Sequence, residues 1–143
     1  FMSAFRTSYI IRLIFILFFT TGFFGRTASQ SEDNSMADFL ILIESSPNGL
    51  ALTCDKGCAW EKLSFSLSTG NEQVVDQFGI TTLDTYKTTE GSERPDFLFS
   101  IKKISTGLFL RGIKGTAWTR LSFSCYENTC YQYVDQSGMT LKE

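Results

Sequence analysis

Two short motifs contain the residues of this sequence that could do chemistry, and each motif occurs twice. The first is Lys-Gly-x-Ala-Trp, at residues 56–60 and 114–118. A tryptophan beside a lysine can form a ligand pocket, because an exposed indole stacks on a sugar or a base while the ammonium group binds an anion. The candidate ligand-binding residues are Lys56, Trp60, Lys114 and Trp118.

The same motif also has an architectural interpretation. Gly57 and Gly115 would supply a positive φ at a hairpin tip, and the two tryptophans would cover one end of the core. We favour this interpretation, because a fold motif must occur in every copy of a repeated unit whereas a binding site need not.

The second motif, Asp-Gln-x-Gly, brings one carboxylate to each copy. Paired aspartates in a symmetric β protein are the arrangement of the aspartic peptidases, so Asp76 and Asp135 could form a hydrolytic pair. Those enzymes carry a small hydroxyl residue directly after the aspartate, however, where this chain has Gln77 and Gln136. The sequence favours turns instead: each aspartate accepts backbone N–H bonds two residues on, and a glycine, Gly79 or Gly138, completes the reversal.

Four cysteines form two closely spaced pairs, Cys54 with Cys58 and Cys125 with Cys130. An even number of cysteines in an exported chain is typical of disulfides. Each pair brackets a turn, which predicts local bridges, and the alternative joins Cys54 to one of the later pair. A structural zinc site is less favoured, because such sites prefer C-x2-C spacing. No metal and no cofactor is implied.

Histidine is absent from the chain, which removes the commonest general base and every Ser-His or Cys-His nucleophile arrangement. The sequence therefore predicts no catalytic residues and a protein that is not an enzyme. Without Arg6, Arg12 and Arg26 of the first 29 residues, the 13 basic residues fall to 10 against 15 acidic ones, a net charge of −5. That balance argues against binding to nucleic acid.

The first 29 residues have the pattern of a signal peptide. Arg6 and Arg12 precede an apolar run, and small residues follow at positions 27–29. The 13 residues from Leu13 to Gly25 are too few to span a bilayer, so cleavage near Gln30 is favoured over an uncleaved anchor. We therefore expect an extracytoplasmic protein, periplasmic or secreted, that meets a membrane only if the signal segment is retained.

Beyond a polar tail at residues 30–37, the sequence predicts an all-β fold. One unit at residues 38–83 returns at residues 97–143, with a surface linker at 84–96 between the copies. Apolar runs, turn residues and the alternation of Leu63, Phe65 and Leu67 with serines predict three or four strands in each copy. These two tandem antiparallel β-meander repeats cannot cover their apolar faces alone. They should pack as one small sandwich or barrel with pseudo-twofold symmetry.

The two copies carry opposite charge, which also favours their contact. Residues 38–83 contain two lysines and six carboxylates, a net charge of −4, whereas residues 97–143 contain six basic and three acidic residues, a net charge of +3. Contact between unlike copies is therefore favoured over contact between like ones.

The Lys-Gly-Cys-Ala-Trp, Leu-Ser-Phe-Ser and Asp-Gln-x-Gly series resembles small exported β-repeat proteins of Bacteroidota that have no assigned activity. The resemblance covers both copies, implies export and a compact β unit, and supplies no catalytic residues. We therefore expect a non-enzymatic binding or interaction module whose partner is a protein or a small molecule. The alternative is a small hydrolase that uses Asp76 and Asp135.

Overall fold

The computed structural model of the protein describes residues 35–142. The expected signal peptide at residues 1–29, and most of the tail expected at residues 30–37, lie outside the described residues. Within residues 35–142, no helix has the length and apolar character that crossing a membrane requires.

Two antiparallel five-stranded sheets pack against each other as a sandwich. The five strands of the first unit (residues 38–83) are β1 (Leu40–Ser46), β2 (Gly49–Lys56), β3 (Lys62–Phe65), β4 (Glu72–Asp76) and β5 (Gly79–Thr81). The five strands of the second unit (residues 97–143) are β6 (Leu98–Ile104), β7 (Gly107–Lys114), β8 (Arg120–Ser124), β9 (Cys130–Asp135) and β10 (Gly138–Thr140). Sheet A has the order β10-β9-β1-β2-β3, and sheet B has the order β5-β4-β6-β7-β8.

Each sheet therefore mixes the two units. The β9–β10 hairpin of the second unit extends sheet A by pairing with β1, where Asp135 stands opposite Leu40. The β4–β5 hairpin of the first unit extends sheet B in the same way, with Asp76 opposite Leu98. The fold is thus all-β, as the sequence predicts, but the units are not separate meanders, because each gives its last hairpin to the other's sheet.

The core lies between the sheets and follows the period of two along each strand. Ile41 and Ile43 of β1 are fully buried, and so are Phe99 and Ile101 at the matching positions of β6. Phe39 and Phe97 directly precede β1 and β6, and the centroids of their rings lie 4.5 Å apart. Each such buried side chain contributes about 1.5 to 3 kcal/mol through removal of apolar surface from water.

The structure contains four elements that the sequence patterns do not predict: two short strands, an α-helix and a 3-10 helix at Gly91–Glu93. Strands β5 and β10 are three residues long, too short to carry a visible alternation. The expected linker contains helix α1 (Leu83–Thr88), whose first turn is capped by the hydroxyl of Thr82 accepting the Thr85 N–H. The expected count of six to eight strands was therefore too low, and the linker is partly ordered.

Ion pairs between the units follow their unequal charge. Arg111 of the second unit lies 3.1 Å from Glu72 of the first, and Lys142 of the second lies 3.1 Å from Asp55 of the first. Both pairs join a first-unit carboxylate to a second-unit cation. Because the side chains are partly exposed, each pair contributes about 0 to 1 kcal/mol, and the buried faces supply most of the stability.

Candidate functional site

The two Lys-Gly-x-Ala-Trp motifs form the loops that follow β2 and β7. Gly57 and Gly115 have positive φ values of 84° and 72°. A Cβ atom at Gly57 would lie 2.3 Å from the carbonyl oxygen of Asp38, and one at Gly115 would lie 2.2 Å from that of Asp96. Glycine is required at both positions, because the loop turns in the left-handed region and lies against the start of β1 or β6.

Each Lys-Gly-x-Ala-Trp loop binds the Asp-Gln-x-Gly turn of its own unit. The indole N–H of Trp60 donates to the carbonyl of Asp76 at 3.0 Å, and that of Trp118 donates to the carbonyl of Asp135 at 2.9 Å. A second bond also occurs in both units at 2.7 Å. The backbone N–H of Ala59 donates to the carbonyl of Gln77, and that of Ala117 donates to the carbonyl of Gln136. Since loop and turn belong to opposite sheets, these bonds join the two sheets of the sandwich.

The glutamines of the turns join the two units. The side-chain oxygen of Gln77 accepts the backbone N–H of Asp96, just before β6. The side-chain oxygen of Gln136 accepts the backbone N–H of Phe39, just before β1, at 3.4 Å. Each turn is therefore held by the strand that its hairpin extends.

The polar groups of the four candidate ligand residues are occupied within the fold. Lys56 pairs with Asp38 at 2.5 Å, and Lys114 donates to the carbonyl of Pro95 at 2.8 Å. Trp118 is buried and Trp60 is half-buried against the core. These contacts are consistent with the architectural interpretation of the motif, and the ligand-binding interpretation of the four residues stays a prediction.

The two aspartates form separate turns. Oδ1 of Asp76 accepts the N–H groups of Phe78 at 2.7 Å and Gly79 at 3.0 Å, and Asp135 makes the same two bonds at 2.7 and 2.9 Å. Burial raises the pKa of Asp76, and the two backbone bonds act against that rise. Asp76 ends a strand of sheet B and borders a cavity of about 270 Å³, whereas Asp135 ends a strand of sheet A and borders a separate cavity of about 590 Å³. This arrangement does not favour a shared hydrolytic cleft.

The cysteines form two local disulfides, as their spacing predicts. Cys54 is bonded to Cys58 across the first Lys-Gly tip, and Cys125 is bonded to Cys130. The second bridge closes the crossover from β8 of sheet B to β9 of sheet A. All four thiols are thereby used, which leaves no basis for the zinc alternative.

The outer face of sheet A carries an open depression of about 610 Å³. Four residues cross it as direct cross-strand neighbours, from β9 through β1 and β2 to β3: Tyr131, Glu44, Ala51 and Ser64. Their side chains share one face because paired residues on adjacent strands point to the same side. We call this site, completed by the exposed hydroxyl residues Ser46 and Ser66, the Tyr131 depression.

A small residue at the centre and an aromatic residue at the wall give the Tyr131 depression its shape. Ala51 lines the depression between Glu44 and Ser64 and has the smallest side chain of the row. The Tyr131 side chain is 76% exposed, and it directly follows the disulfide that closes the crossover. The neighbouring Tyr133 is different, because the ammonium group of Lys142 lies 5.8 Å from its ring centroid. Tyr131 is therefore the tyrosine of this face with an open ring.

The depression is acidic and rich in hydroxyl groups. Glu44 is exposed and takes part in none of the ion pairs found within residues 35–142. Among the described residues that line the site, none is basic. The carboxylate of Glu44 can accept strong hydrogen bonds from a ligand, and the hydroxyl groups can both donate and accept them. A ring or an apolar edge of the ligand can pack against Tyr131.

No family model, curated protein or solved structure matches this chain. The resemblance to exported β-repeat proteins of Bacteroidota stays a prediction.

Sequence reasoning missed the Tyr131 depression. Alternation along β1 and β9 could have placed Glu44 and Tyr131 on solvent faces. It could not have made them neighbours, because β9 lies almost ninety residues after β1 and its pairing partner cannot be read from a pattern.

Proposed function

We propose that this protein is a non-enzymatic binding module of an extracytoplasmic compartment and that the Tyr131 depression is its ligand site. The observation that carries the proposal is the open volume of about 610 Å³ above Ala51, bordered by an exposed tyrosine and a free carboxylate. Sites for small ligands are concave, with volumes of about 300 to 1,000 Å³, and combine an apolar surface with a few polar groups.

Comparison with the other sheet supports this choice of site. The corresponding row of sheet B, from β4 through β6 and β7 to β8, is Glu72, Lys102, Phe109 and Ser122. There the ring of Phe109 takes the place that Ala51 has in sheet A. The carboxylate of Glu72 is bonded to Ser100 and Arg111, so it is not free to meet a ligand.

The extracytoplasmic location is supported by the two disulfides, because such bonds persist in oxidising compartments. Alkylation of free thiols in intact cells that express the full chain tests the location. We expect both cysteine pairs to resist the reagent until a reductant is added. Immediate alkylation of all four cysteines would place the protein in a reducing compartment.

The site is tested by recording amide NMR spectra of the folded protein during titration with neutral oligosaccharides, amino acids and short peptides. We expect the shifts caused by any ligand to cluster at Glu44, Ala51, Ser64 and Tyr131. Ala51→Phe, which copies the residue of sheet B, should remove the response. Phe109→Ala is the matched control on the opposite face and should leave it unchanged.

Two outcomes would overturn the assignment. One is a set of shifts that clusters around Trp60 and Trp118 while the depression stays silent. The other is a ligand that binds Ala51→Phe as tightly as the unchanged protein, although a ring has replaced the smallest side chain of the row.

A further inference from the structure

The Tyr131 depression has a composition that selects among ligand classes. We propose that it binds a neutral carbohydrate, with one sugar ring packed on Tyr131 and its hydroxyl groups bonded to Glu44 and the surrounding serines. This inference rests on the proposed function, because it names the ligand class of the same site.

The first argument is the absence of positive charge from the lining. Recognition of a phosphate, a sulfate or an acidic sugar depends on basic side chains or on a helix N-terminus. Among the described residues, those that line the depression include no lysine or arginine, and no helix begins there. Glu44 would also repel an anion. An anionic ligand is therefore disfavoured.

The second argument is the kind of hydrogen bonding that the site offers. A serine hydroxyl both donates and accepts, and an ionised carboxylate accepts two or more bonds. Ser46, Ser64 and Ser66 are all exposed, and Asn48 adds an amide at the same end of the depression. A ligand with several adjacent hydroxyl groups satisfies both roles at once. A cationic ligand could use the carboxylate, the hydroxyl oxygens and the tyrosine ring, but it carries no acceptor for the hydroxyl donors.

The third argument is the tyrosine. A sugar ring has one apolar face, formed by its C–H groups, and a tyrosine side chain combines an apolar ring with a polar tip. Tyr131 stands directly opposite Glu44 in the strand pairing, so the ring and the carboxylate are cross-strand neighbours. A sugar packed on the ring would place hydroxyl groups at its rim within reach of Glu44, where charge-assisted hydrogen bonds are about twice as strong as neutral ones.

Isothermal calorimetry on the folded chain tests the proposal with cellotriose, maltotriose and triacetylchitotriose as neutral probes. Tri-lysine and a galacturonic acid trisaccharide are the charged probes. We expect at least one neutral trisaccharide to bind, with an affinity that stays constant between about 0.02 and 0.5 M salt, because screening acts on charged partners. Binding that weakens steeply with salt would contradict a neutral ligand.

Variants locate the binding. Tyr131→Ala should weaken the neutral trisaccharide at least tenfold, and Glu44→Gln should weaken it severalfold by removing the charge from the hydrogen bonds. Tyr131→Phe keeps the ring and should retain most of the affinity. Tyr126→Ala is the matched control, because Tyr126 is 87% exposed at the base of the adjacent disulfide-closed turn and does not line the depression. It should bind like the unchanged protein.

The outcomes separate this inference from the proposed function. Tri-lysine or the acidic trisaccharide bound at Tyr131, with no neutral sugar bound, would overturn the carbohydrate inference and leave the binding site in place. Equal loss in Tyr126→Ala and Tyr131→Ala would also overturn it. If none of the five probes, nor any ligand of the NMR panel, perturbs the depression, the proposed function itself is wrong.

Discussion

The two sheets of the sandwich are alike on their inner faces and different on their outer faces. Inside, Ile41 and Ile43 of sheet A correspond to Phe99 and Ile101 of sheet B, and all four are fully buried. Outside, the sequence of neighbours Tyr131, Glu44, Ala51 and Ser64 in sheet A corresponds to Glu72, Lys102, Phe109 and Ser122 in sheet B. The strand pairing is the same in both rows, so the backbone does not cause the difference.

This comparison separates the residues that maintain the fold from those available for binding. The inner faces and the two paired motifs must be kept in both units, because each unit completes the sheet of the other. The outer faces carry no such constraint. Sheet B uses its outer face for an internal bond network around Glu72, whereas sheet A leaves a depression there.

The largest expected effect comes from separating the two units. Residues 38–83 expressed alone would lack β9 beside β1 and β6 beside the β4–β5 hairpin. The unpaired edges of these strands would then be exposed to water. We expect neither unit alone to unfold cooperatively, and we expect an equimolar mixture to recover the circular dichroism and melting transition of the whole chain. Their opposite net charges should favour the mixed pair over pairs of like units.

Sedimentation of each unit and of the mixture completes this test. If either unit alone is a monomer that melts as cooperatively as the whole protein, the exchange of hairpins is not needed for stability. The likeness of the two inner faces would then reflect two independent folds.

The next effect compares the two tryptophans of the shared motif. Trp118 is 7% exposed and its ring lies 6.0 Å from that of Phe99, whereas Trp60 is half-buried. Trp118→Ala should lower the free energy of unfolding by roughly 3 to 5 kcal/mol, because it leaves a cavity and an unsatisfied carbonyl acceptor. Trp60→Ala should cost less, roughly 2 kcal/mol, because less apolar surface is lost.

Urea denaturation measures both values, with Tyr126→Ala as a surface control expected within about 0.5 kcal/mol of the unchanged protein. A cost below about 1 kcal/mol for Trp118→Ala would contradict its place in the core. Equal costs for the two tryptophans would mean that the ends of the sandwich are more symmetric than their burial indicates.

The sequence predicts much of the shared part and none of the divergent part. Alternation, turn residues and the repeated motifs are local patterns, so they predict the hairpins of β1 with β2 and β6 with β7, and the two local disulfides. The exchange of hairpins cannot be read in this way. Asp76 could stand opposite Leu40 of its own unit or opposite Leu98 of the other, and the two motifs are too similar to decide between these pairings.

The difference between the outer faces of the two sheets cannot be predicted from the sequence for a related reason. Ala51 and Tyr131 are ordinary solvent-side residues in their own strands. They form a site only because β1 lies between β2 and β9 in the sheet, and that order is set by the exchange.

A smaller effect compares the two outer carboxylates. The Ser100 hydroxyl and the nearby Arg111 guanidinium hold the pKa of Glu72 below its usual value. Its folded-state pKa is therefore lower than its unfolded-state pKa. The stability that ionised Glu72 contributes is present at neutral pH and is lost as the pH falls below about 4. Glu72→Gln should cost up to about 1 kcal/mol at pH 7, since the pair is partly exposed.

Glu44→Gln is the matched change on sheet A and should leave the free energy of unfolding at pH 7 within about 0.5 kcal/mol, because Glu44 is exposed and outside the ion pairs of residues 35–142. Thermal melts of both variants between pH 3 and pH 7, at about one pH unit intervals, distinguish the two faces. If Glu44→Gln destabilises the protein as much as Glu72→Gln does, Glu44 belongs to an internal network and is not free for a ligand.

The smallest effect comes from the charge alone on the buried carboxylate of the first turn, Asp76. Burial raises its pKa, so the folded state favours the protonated form and the contribution of this group to stability is largest at low pH. As the pH rises above about 4, the ordinary value for an aspartate, ionised Asp76 increasingly weakens the folded state. Asp76→Asn keeps an oxygen that can accept the two turn N–H bonds and removes the charge. The variant should therefore match the unchanged protein near pH 3.5 and become slightly more stable than it, by less than about 1 kcal/mol, near pH 7.

Asp76→Ala loses both bonds and should cost about 1 to 2 kcal/mol, while Asp135→Asn repeats the amide change in the turn of sheet A. Urea denaturation of the variants at several pH values decides the point: a stability advantage of Asp76→Asn that shrinks as the pH rises would mean that the charge of Asp76 stabilises its turn, contrary to the effect of its burial.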